Sequence, residues 1–217
     1  MTIQKLFVNG FIIIIWRGCR LKYAIAGLVL AGGQSRRFGS PKAFALKNGV
    51  PFYQYPIKAM NPLVESIVLV SNNDLLDEFK LSEPNLKLIT DKPEYAGLGP
   101  LAGIYSGMDS VEAEWYLVSP VDVPFIEESI YKTLIENIGV SKEAIVPLVK
   151  GRMQPLISIF HRSMKDKIKE QLALHELSPK QLFIKSEITF IEIENEKPFR
   201  NINYQDDLLK YEQRLDN

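Results

Sequence analysis

The 217-residue chain has few of the residues on which disulfide-bonded and zinc-bound proteins depend. It has one cysteine, Cys19, and two histidines, His161 and His175. A single cysteine cannot form a disulfide within the chain, so we expect a reducing, cytoplasmic compartment. These three side chains are too few for a structural zinc site, which takes four ligands. Metal chemistry would therefore depend on carboxylates, which suit Mg²⁺, with Mn²⁺ as the alternative.

The chain also lacks an excess charge of either sign and a long apolar run. Its 26 Lys and Arg residues balance 26 Asp and Glu residues, so the formal net charge is +0. Without an overall positive field, nucleic-acid binding is not expected. The apolar stretch Phe11–Trp16 is far shorter than the roughly 20 residues that span a bilayer. We therefore expect no membrane association.

Residues 1–22 form an atypical leader, because the alternation of strand and helix patterns begins only at Tyr23. Arg17 ends the apolar run that a secretory signal peptide would need, which disfavours export. One alternative is an additional edge strand from Phe7 to Ile15. We assign 23–217 to one folded domain, which agrees with the one to two domains expected for this length.

A mis-called start of translation is a second explanation of the leader. Leu21 can be encoded by TTG, which bacteria use as a start codon. The codons TGG-AGG for Trp16 and Arg17 contain GGAGG, a ribosome-binding sequence, a short distance upstream. On this hypothesis the mature protein begins at position 21 as Met.

From Tyr23 onward, strand and helix patterns alternate. The predicted strands are Tyr23–Leu30, Ser66–Val70, Leu86–Thr90, Trp115–Ser119, Ala144–Val149, Pro155–Phe160 and Ile188–Ile193. The predicted helices are Pro51–Met60, Asp74–Lys80 capped by Asn73, Leu101–Ser110, Glu127–Ile138, Arg162–Leu174, a short helix from Pro179, and Gln205–Arg214. This alternation predicts an α/β fold with a single doubly wound, mostly parallel sheet. Ligands of such sheets bind at the carboxyl ends of the strands.

The loop after the first predicted strand, Leu30 to Lys42, has the sequence LAGGQSRRFGSPK. Its glycines let the backbone approach a ligand, and amides arranged in this way can form an anion nest. Arg36, Arg37 and Lys42 add positive charge. The spacing differs from both the Walker A loop and the dinucleotide G-x-G-x-x-G pattern. From composition alone, a phosphate cradle and a tight turn with two solvated arginines are equally compatible with this loop.

Two carboxylates also stand at the ends of predicted strands. Asp91 follows Leu86–Thr90, and Asp122 follows Trp115–Ser119. Asp122 would therefore face a ligand bound at the end of its strand. The alternative is that Asp122 caps a helix that begins near Phe125 or Ile126.

Together these segments resemble the signatures of the molybdenum cofactor guanylyltransferases, a family of nucleotidyltransferases with a Rossmann-like fold. The matching segments run in family order between about positions 23 and 210: LAGGQSRRFGSPK at 30–42, Asp91 with GPLAGI at 99–104, VDVPF at 121–125, QPL at 154–156 and FRNIN at 199–203. The sequence departs from the family pattern at Phe38, at Val123, and at Tyr204-Gln205, where Thr-Pro is frequent.

The resemblance implies transfer of GMP from GTP to molybdopterin, with or without bound molybdate, and release of pyrophosphate. The alternatives are a CTP-using molybdopterin cytidylyltransferase, a sugar-phosphate nucleotidyltransferase, and a non-catalytic nucleotide-binding regulator on the same fold. The implied partners are the two substrates, other cofactor-biosynthesis proteins and acceptor molybdoenzymes. We expect a monomer.

The resemblance also assigns roles to residues. Lys42 would bind the phosphates of GTP, Arg37 would steady them, and Asp122 would hold Mg²⁺; these are the predicted catalytic residues. The predicted nucleotide-binding residues are Leu30, Ala31, Gly32, Gly33, Lys42, Asp91, Gly99 and Asp122. Asp91 would accept hydrogen bonds from guanine or ribose. Weaker candidates are Ser71 and Asn73 for the nucleotide, and Gln154, Asn201 and Asn203 for the pterin.

Overall fold

The computed structural model describes residues 2–8, 11–17, 23–33, 35, 38–140, 143–204 and 207. The strands are β1 (Thr2–Val8), β2 (Phe11–Arg17), β3 (Ile25–Leu30), β4 (Leu46–Lys47), β5 (Val50–Pro51), β6 (Ser66–Ser71), β7 (Leu86–Thr90), β8 (Trp115–Pro120), β9 (Ala144–Val149), β10 (Arg152–Met153), β11 (Ser158–His161) and β12 (Ile188–Glu192). The α-helices are α1 (Gln54–Met60), α2 (Pro100–Ser110), α3 (Glu128–Glu136), α4 (Met164–Ala173) and α5 (Pro179–Ile184). None of the helices in these described ranges is long and apolar enough to cross a membrane.

The central sheet is mostly parallel. Its first four strands lie in the order β7, β6, β3, β8, and all of them run in the same direction. Strand β11 comes next and is antiparallel to both of its neighbours, β8 and β9. Beyond it, β12 pairs with β9 in parallel, and the short β10 pairs with β9 antiparallel. The predicted fold class is therefore confirmed, with one reversed strand inside the sheet.

Helices cover both faces of the sheet because the strands are apolar on both sides, as a doubly wound fold requires. In β3, Ile25 and Val29 pack into the same core cluster as the buried side chains of α1 and α3. The alternate residues Ala26 and Leu28 pack into a second cluster with α2, α4 and α5. The alternation along β3 follows directly from the two-residue repeat of a strand.

The chain order of the strands creates a crevice beside β3. From β3 the chain proceeds to β6 and β7 on one side, and α2 then carries it back to β8 on the other side. At such a switch point, the loops after the two neighbouring strands leave in opposite directions and open a ligand crevice at their carboxyl ends. The glycine loop follows β3 and Asp122 follows β8, so both border this crevice.

The leader has two strands where the sequence suggested one. Strands β1 and β2 pair antiparallel, from Thr2 opposite Arg17 to Val8 opposite Phe11. They form a two-stranded sheet of their own. A single edge strand from Phe7 to Ile15 is therefore wrong, because these residues divide between two strands that pair with each other. The assignment of 1–22 as a leader separate from 23–217 stays a prediction.

Several predicted element boundaries need correction. The helix expected at Asp74–Lys80 is a 3₁₀ helix, Asn73–Glu78, and Asn72 rather than Asn73 precedes it. The strand expected from Pro155 begins at Ser158, because residues 154–157 form a turn in which the Ile157 N–H donates to the Gln154 carbonyl at 3.1 Å. Except for Asp207, the helix predicted at 205–214 lies outside the described residues.

Candidate active site

The glycine loop leaves β3 between its two neighbouring strands. The Ala31 N–H donates to the Val70 carbonyl at 2.7 Å, and the Leu30 carbonyl accepts the Val121 N–H at 3.2 Å. A Cβ at Gly32 would lie 3.3 Å from the carbonyl carbon of Ser71, so glycine is needed for this close approach to β6. These contacts hold the start of the loop at the carboxyl edge of the sheet.

Lys42 ends the glycine loop and points back into the site. Its backbone N–H donates to the Ser35 hydroxyl at 3.0 Å. Its Nζ donates to Asn203 Oδ1 at 2.8 Å and lies 3.4 Å from Asp122 Oδ2. The Lys42 side chain is only 13% exposed. The lysine charge is therefore held beside Asp122 and screened from most of the solvent.

Asp122 lies at the carboxyl end of β8, with its side chain 26% exposed. Burial raises the pKa of this carboxyl group, and the nearby Lys42 ammonium opposes that shift. The predicted alternative of a helix cap is wrong, because α3 begins at Glu128 and Glu127 holds the N-cap position. The carboxylate instead borders the cavity beside the Lys42 ammonium.

A segment near the end of the described chain closes one side of the site. The Ile202 N–H donates to the Asp122 carbonyl at 2.9 Å. The Ile202 side chain is fully buried in a small cluster with three aromatic rings, Phe38, Phe52 and Phe125. Phe38 belongs to the glycine loop and Phe125 follows Asp122, so Ile202 ties both loops to this segment.

Asp91 follows β7 and lies on the other side of the cavity. Burial raises the pKa of its carboxyl group, and a hydrogen bond from the Gly97 N–H at 3.5 Å opposes the shift. Gly99 has a φ of +85°, in the left-handed region that favours glycine, and leads directly into α2. The Asp91 loop therefore ends in a sharp bend that brings the start of α2 to the cavity.

These loops enclose one open cavity of about 860 Å³, a size suited to a small-molecule ligand or cofactor. It is lined by Leu30, Ala31, Gly32, Gly33, Ser35, Lys42, Val70, Asn72, Asp74, Asp91, Gly97, Gly99, Pro100, Gly103, Pro120, Val121, Asp122, Leu156 and Asn203. The lining combines backbone amides, one partly buried ammonium and two partly buried carboxylates. Such a site can hold a polyanion together with its counter-cation.

Most of the residues that line this cavity lie in a segment of the chain that matches a known family. The model of the MobA-like NTP transferase domain matches residues 27–187, which include the glycine loop, Asp91 and Asp122. The chain belongs to the MobA-like NTP transferase family. A protein of Bacillus cereus named "Probable molybdenum cofactor guanylyltransferase" is 35% identical over 196 residues, which cover 88% of this chain and 98% of that protein. A protein of the same name from a Geobacillus species is 40% identical over 183 residues, covering 82% and 93%.

A solved structure agrees with the fold of this MobA-like chain. Molybdopterin-guanine dinucleotide biosynthesis protein A from Archaeoglobus fulgidus has a TM-score of 0.72 and 19% identity, and the match covers 88% of this chain and 98% of that one. At this identity the likeness shows the fold alone. The predicted family and the predicted class of enzyme, a nucleotidyltransferase, are confirmed by the family match and the two relatives.

The structure of this MobA-like chain brings most of the predicted site residues together. The cavity lining includes every predicted nucleotide-binding position: Leu30, Ala31, Gly32, Gly33, Lys42, Asp91, Gly99 and Asp122. Arg37, the remaining predicted catalytic residue, lies outside the described residues, as does Arg36. The roles of all these residues stay predictions.

Sequence reasoning missed Asn72, which lines the cavity. Its Nδ2 donates to the Gly32 carbonyl at 3.5 Å, whereas its Oδ1 is buried without a partner among the described residues. The weaker candidates chosen instead were its neighbours: Ser71 is buried within β6, and Asn73 begins the following 3₁₀ helix. Ligands of such sheets lie next to the residue that follows a strand, and this rule could have identified Asn72. The predicted strand ends at Val70, however, whereas β6 ends at Ser71.

The remaining candidates divide between the cavity and other surfaces. Asn203 lines the cavity, whereas Gln154 and Asn201 are not among the described lining residues. Gln154 instead donates through Nε2 to the Arg152 carbonyl at 3.4 Å. His161 packs against Trp115 with the ring centres 5.0 Å apart, and it also lies outside the described lining.

Proposed function

We propose that this protein transfers GMP from GTP to the phosphate of molybdopterin, with or without bound molybdate. The main support is the convergence of the glycine loop, Lys42, Asp91 and Asp122 on one cavity at the switch point of the sheet. The names of the two bacterial relatives favour this substrate pair among the reactions that the fold could host.

The proposed reaction exchanges one phosphorus–oxygen bond for another. A phosphate oxygen of molybdopterin attacks the α-phosphorus of GTP and forms the new bond. The bond from that phosphorus to the bridging oxygen breaks, and pyrophosphate leaves with the electron pair. The attacking phosphate is already anionic near neutral pH, because its second pKa is about 6. The site therefore needs no strong general base, and alignment and charge neutralisation provide the catalysis.

The residues of the cavity suit these two tasks. The backbone of Gly32 and Gly33 borders the cavity and provides N–H groups for phosphate oxygens. Lys42 Nζ supplies a fixed positive charge beside them. Arg37 is proposed to steady the triphosphate from the same loop. On the other side, Asp91 offers acceptor oxygens that suit either the N1–H and 2-amino groups of guanine or the ribose hydroxyls.

Asp122 is the proposed ligand for Mg²⁺, with Mn²⁺ as the alternative. Its partly exposed carboxylate at the edge of the cavity fits a metal that takes one or two protein carboxylates. In the described part of the chain, no cluster of three His, Cys, Asp or Glu side chains could hold an ion by itself. Phosphate oxygens and water would complete the shell, and the bound metal would offset the phosphate charge.

A nucleotide screen tests the proposed function. Purified protein is incubated with Mg²⁺, molybdopterin and one of GTP, CTP or UTP, and pyrophosphate release is measured. We expect turnover with GTP and at most a few per cent of that rate with CTP or UTP. Turnover with CTP alone would overturn the guanine assignment and favour a cytidylyltransferase. Binding of GTP without pyrophosphate release would instead favour a non-catalytic regulator.

We also propose the setting in which the protein acts. The single cysteine suits the cytoplasm, where the protein is proposed to act as a monomer. Its proposed partners are the two substrates, other proteins of cofactor biosynthesis and the molybdoenzymes that accept the product. Nucleic acid and membrane are not among them.

A further inference from the structure

The position of Lys42 depends on a residue 161 positions further along the chain. Its Nζ donates to Asn203 Oδ1 at 2.8 Å, a shorter contact than the 3.4 Å to Asp122 Oδ2. Lysine is a point charge on a flexible four-carbon stem, and immobilising it costs rotamer entropy. Without Asn203, the ammonium would be free to move closer to Asp122, because opposite charges attract most strongly in direct contact.

Asn203 is itself held by a carboxylate in the next turn of the chain. Asp207 Oδ2 accepts the backbone N–H of Asn203 at 3.0 Å and that of Tyr204 at 2.9 Å. The Asp207 N–H donates to the Tyr204 carbonyl at 3.1 Å, which closes the turn. Hydrogen bonds to a carboxylate are about twice as strong as those between neutral groups. On the other side of Asn203, the buried Ile202 fixes the chain to the Asp122 carbonyl.

We propose that Asp207 is a positioning residue, which fixes Asn203 so that the Asn203 side chain keeps the Lys42–Asp122 ion pair at 3.4 Å and prevents a closer one. The proposal rests on the proposed function, because it takes Lys42 as the phosphate-binding cation and Asp122 as the metal ligand. Asp207 itself does not line the cavity among its described residues, so its effect is transmitted through Asn203. Because Lys42 is held in this position, Asp122 stays accessible to a divalent cation.

Loss of Asp207 should therefore weaken metal binding before any substrate is present. In the Asp207→Ala variant, Asn203 loses its anchor, Lys42 moves closer to Asp122, and the ammonium competes with the metal. Removing a group that orients a metal ligand typically costs 10–100-fold in affinity. We expect at least a tenfold weaker affinity for Mn²⁺, measured on the ligand-free protein by the electron paramagnetic resonance signal of the free ion.

Three variants distinguish positioning from a general loss of structure. Asp207→Asn keeps an acceptor oxygen and should restore most of the metal affinity. Asp166→Ala removes an exposed carboxylate from the first turn of α4 and should leave both metal affinity and thermal unfolding unchanged. In an Asn203→Ala background, Asp207→Ala should cause little further loss, because the two residues act in series.

The amide resonances of Asn203 and Tyr204 provide a second measurement. Both N–H groups bond to a carboxylate, so both resonances should move upfield in Asp207→Ala and remain near their original positions in Asp207→Asn. Unchanged Mn²⁺ affinity in Asp207→Ala would overturn the proposal. An equally large loss of Mn²⁺ affinity on adding Asp207→Ala to the Asn203→Ala background would also overturn it. So would an Asp207→Asn variant that binds Mn²⁺ as weakly as Asp207→Ala does. Neither measurement uses a nucleotide, so failure of the guanine assignment in the nucleotide screen remains a separate result.

Discussion

Individual carboxylates of the site are held in surroundings that disfavour their charge. Burial raises the pKa of both Asp91 and Asp122. The Gly97 N–H opposes the shift of Asp91, and the Lys42 ammonium, together with the backbone N–H of Asp122 itself, opposes the shift of Asp122. Elsewhere on the molecule, two lysines lower the pKa of Asp109, and Lys165 lies 2.5 Å from it. The charged forms of Asp91 and Asp122 therefore lower the stability of the folded protein, whereas the charged form of Asp109 raises it.

Replacement of Asp122 by asparagine should affect activity and stability in opposite directions. Pyrophosphate release should fall at least about 100-fold, because loss of one electrostatic contact in a transition state costs about 2.7–4 kcal/mol. The free energy of unfolding of the ligand-free protein, measured with urea at pH 7, should rise, because desolvation disfavours the carboxylate charge that the substitution removes. Undiminished activity in Asp122→Asn would exclude the proposed metal role.

The stability gain of Asp122→Asn should also depend on pH. The raised native pKa means that the folded state binds more protons than the unfolded state between the unfolded pKa, about 3.9, and the native value. As the pH falls through that native pKa, Asp122 becomes protonated and lowers the stability of the wild-type protein less. The difference in the free energy of unfolding between Asp122→Asn and the wild type should therefore shrink between pH 7 and pH 4. Asp109→Asn is the opposite control: its lowered pKa predicts a loss of stability at pH 7 that disappears on acidification.

Among the elements, helix α2 packs closely against β3. A Cβ at Gly107 would lie 2.8 Å from Leu28 Cδ2, nearer than side chains normally approach. Leu28 is fully buried in β3, so it has little room to move. The same helix contributes its N-terminal residue Pro100 to the cavity lining. Gly107 therefore allows a helix that borders the cavity to pack closely on β3.

Gly107→Ala should destabilise the protein by about 1–3 kcal/mol, the usual cost of overpacking a core, partly offset by the better helix propensity of alanine. Urea unfolding provides the measurement. The KM for GTP should change less than the stability, because Gly107 is not among the described lining residues. Gly139→Ala is the matched control, since a Cβ there meets nothing within 4 Å and its unfolding free energy should be unchanged or slightly higher. Equal effects of the two substitutions would contradict this account.

Over the whole molecule, the carboxyl ends of four parallel strands supply residues of the cavity lining. Leu30 ends β3, Asn72 follows β6, Asp91 follows β7 and Asp122 follows β8. This arrangement brings charged groups of both signs to one cavity in a chain whose net charge is +0. The Lys42 ammonium and the carboxylates of Asp91 and Asp122 follow three different strands, and all three groups line the cavity at the carboxyl edge of the sheet.

The N-terminal residues should be dispensable for this arrangement. Strands β1 and β2 pair with each other in their own sheet, and the family match begins at residue 27. A chain that starts with Met at position 21 should unfold at the same temperature as the full chain and release pyrophosphate at the same rate. On the separate hypothesis of a mis-called start, mass spectrometry of the native protein should find no peptide that covers Phe7 to Arg17. Such a peptide would exclude the mis-called start.

The sequence predicts the parts of this molecule that depend on neighbours along the chain. The apolar run before Leu30 and the polar residues after it are enough to predict β3 and the glycine loop. The reversed direction of β11 could not be predicted, because an antiparallel strand has the same apolar pattern as a parallel one. The hydrogen bond from Lys42 to Asn203 was equally inaccessible, since it joins distant segments through tertiary packing. The one-residue error that missed Asn72 arose because Ser71 is polar yet buried at the end of β6.

The position of β3 in the middle of the sheet has a consequence for synthesis on the ribosome. One edge of β3 pairs with β8, and Ile25 lies opposite Trp115, about 90 residues later in the chain. At about 5–20 residues per second, the apolar β3 waits about 5–20 s for that neighbour. Throughout this interval its free edge can pair with another nascent chain. The strand that anchors the finished site is therefore also the segment most in need of protection while the protein is being made.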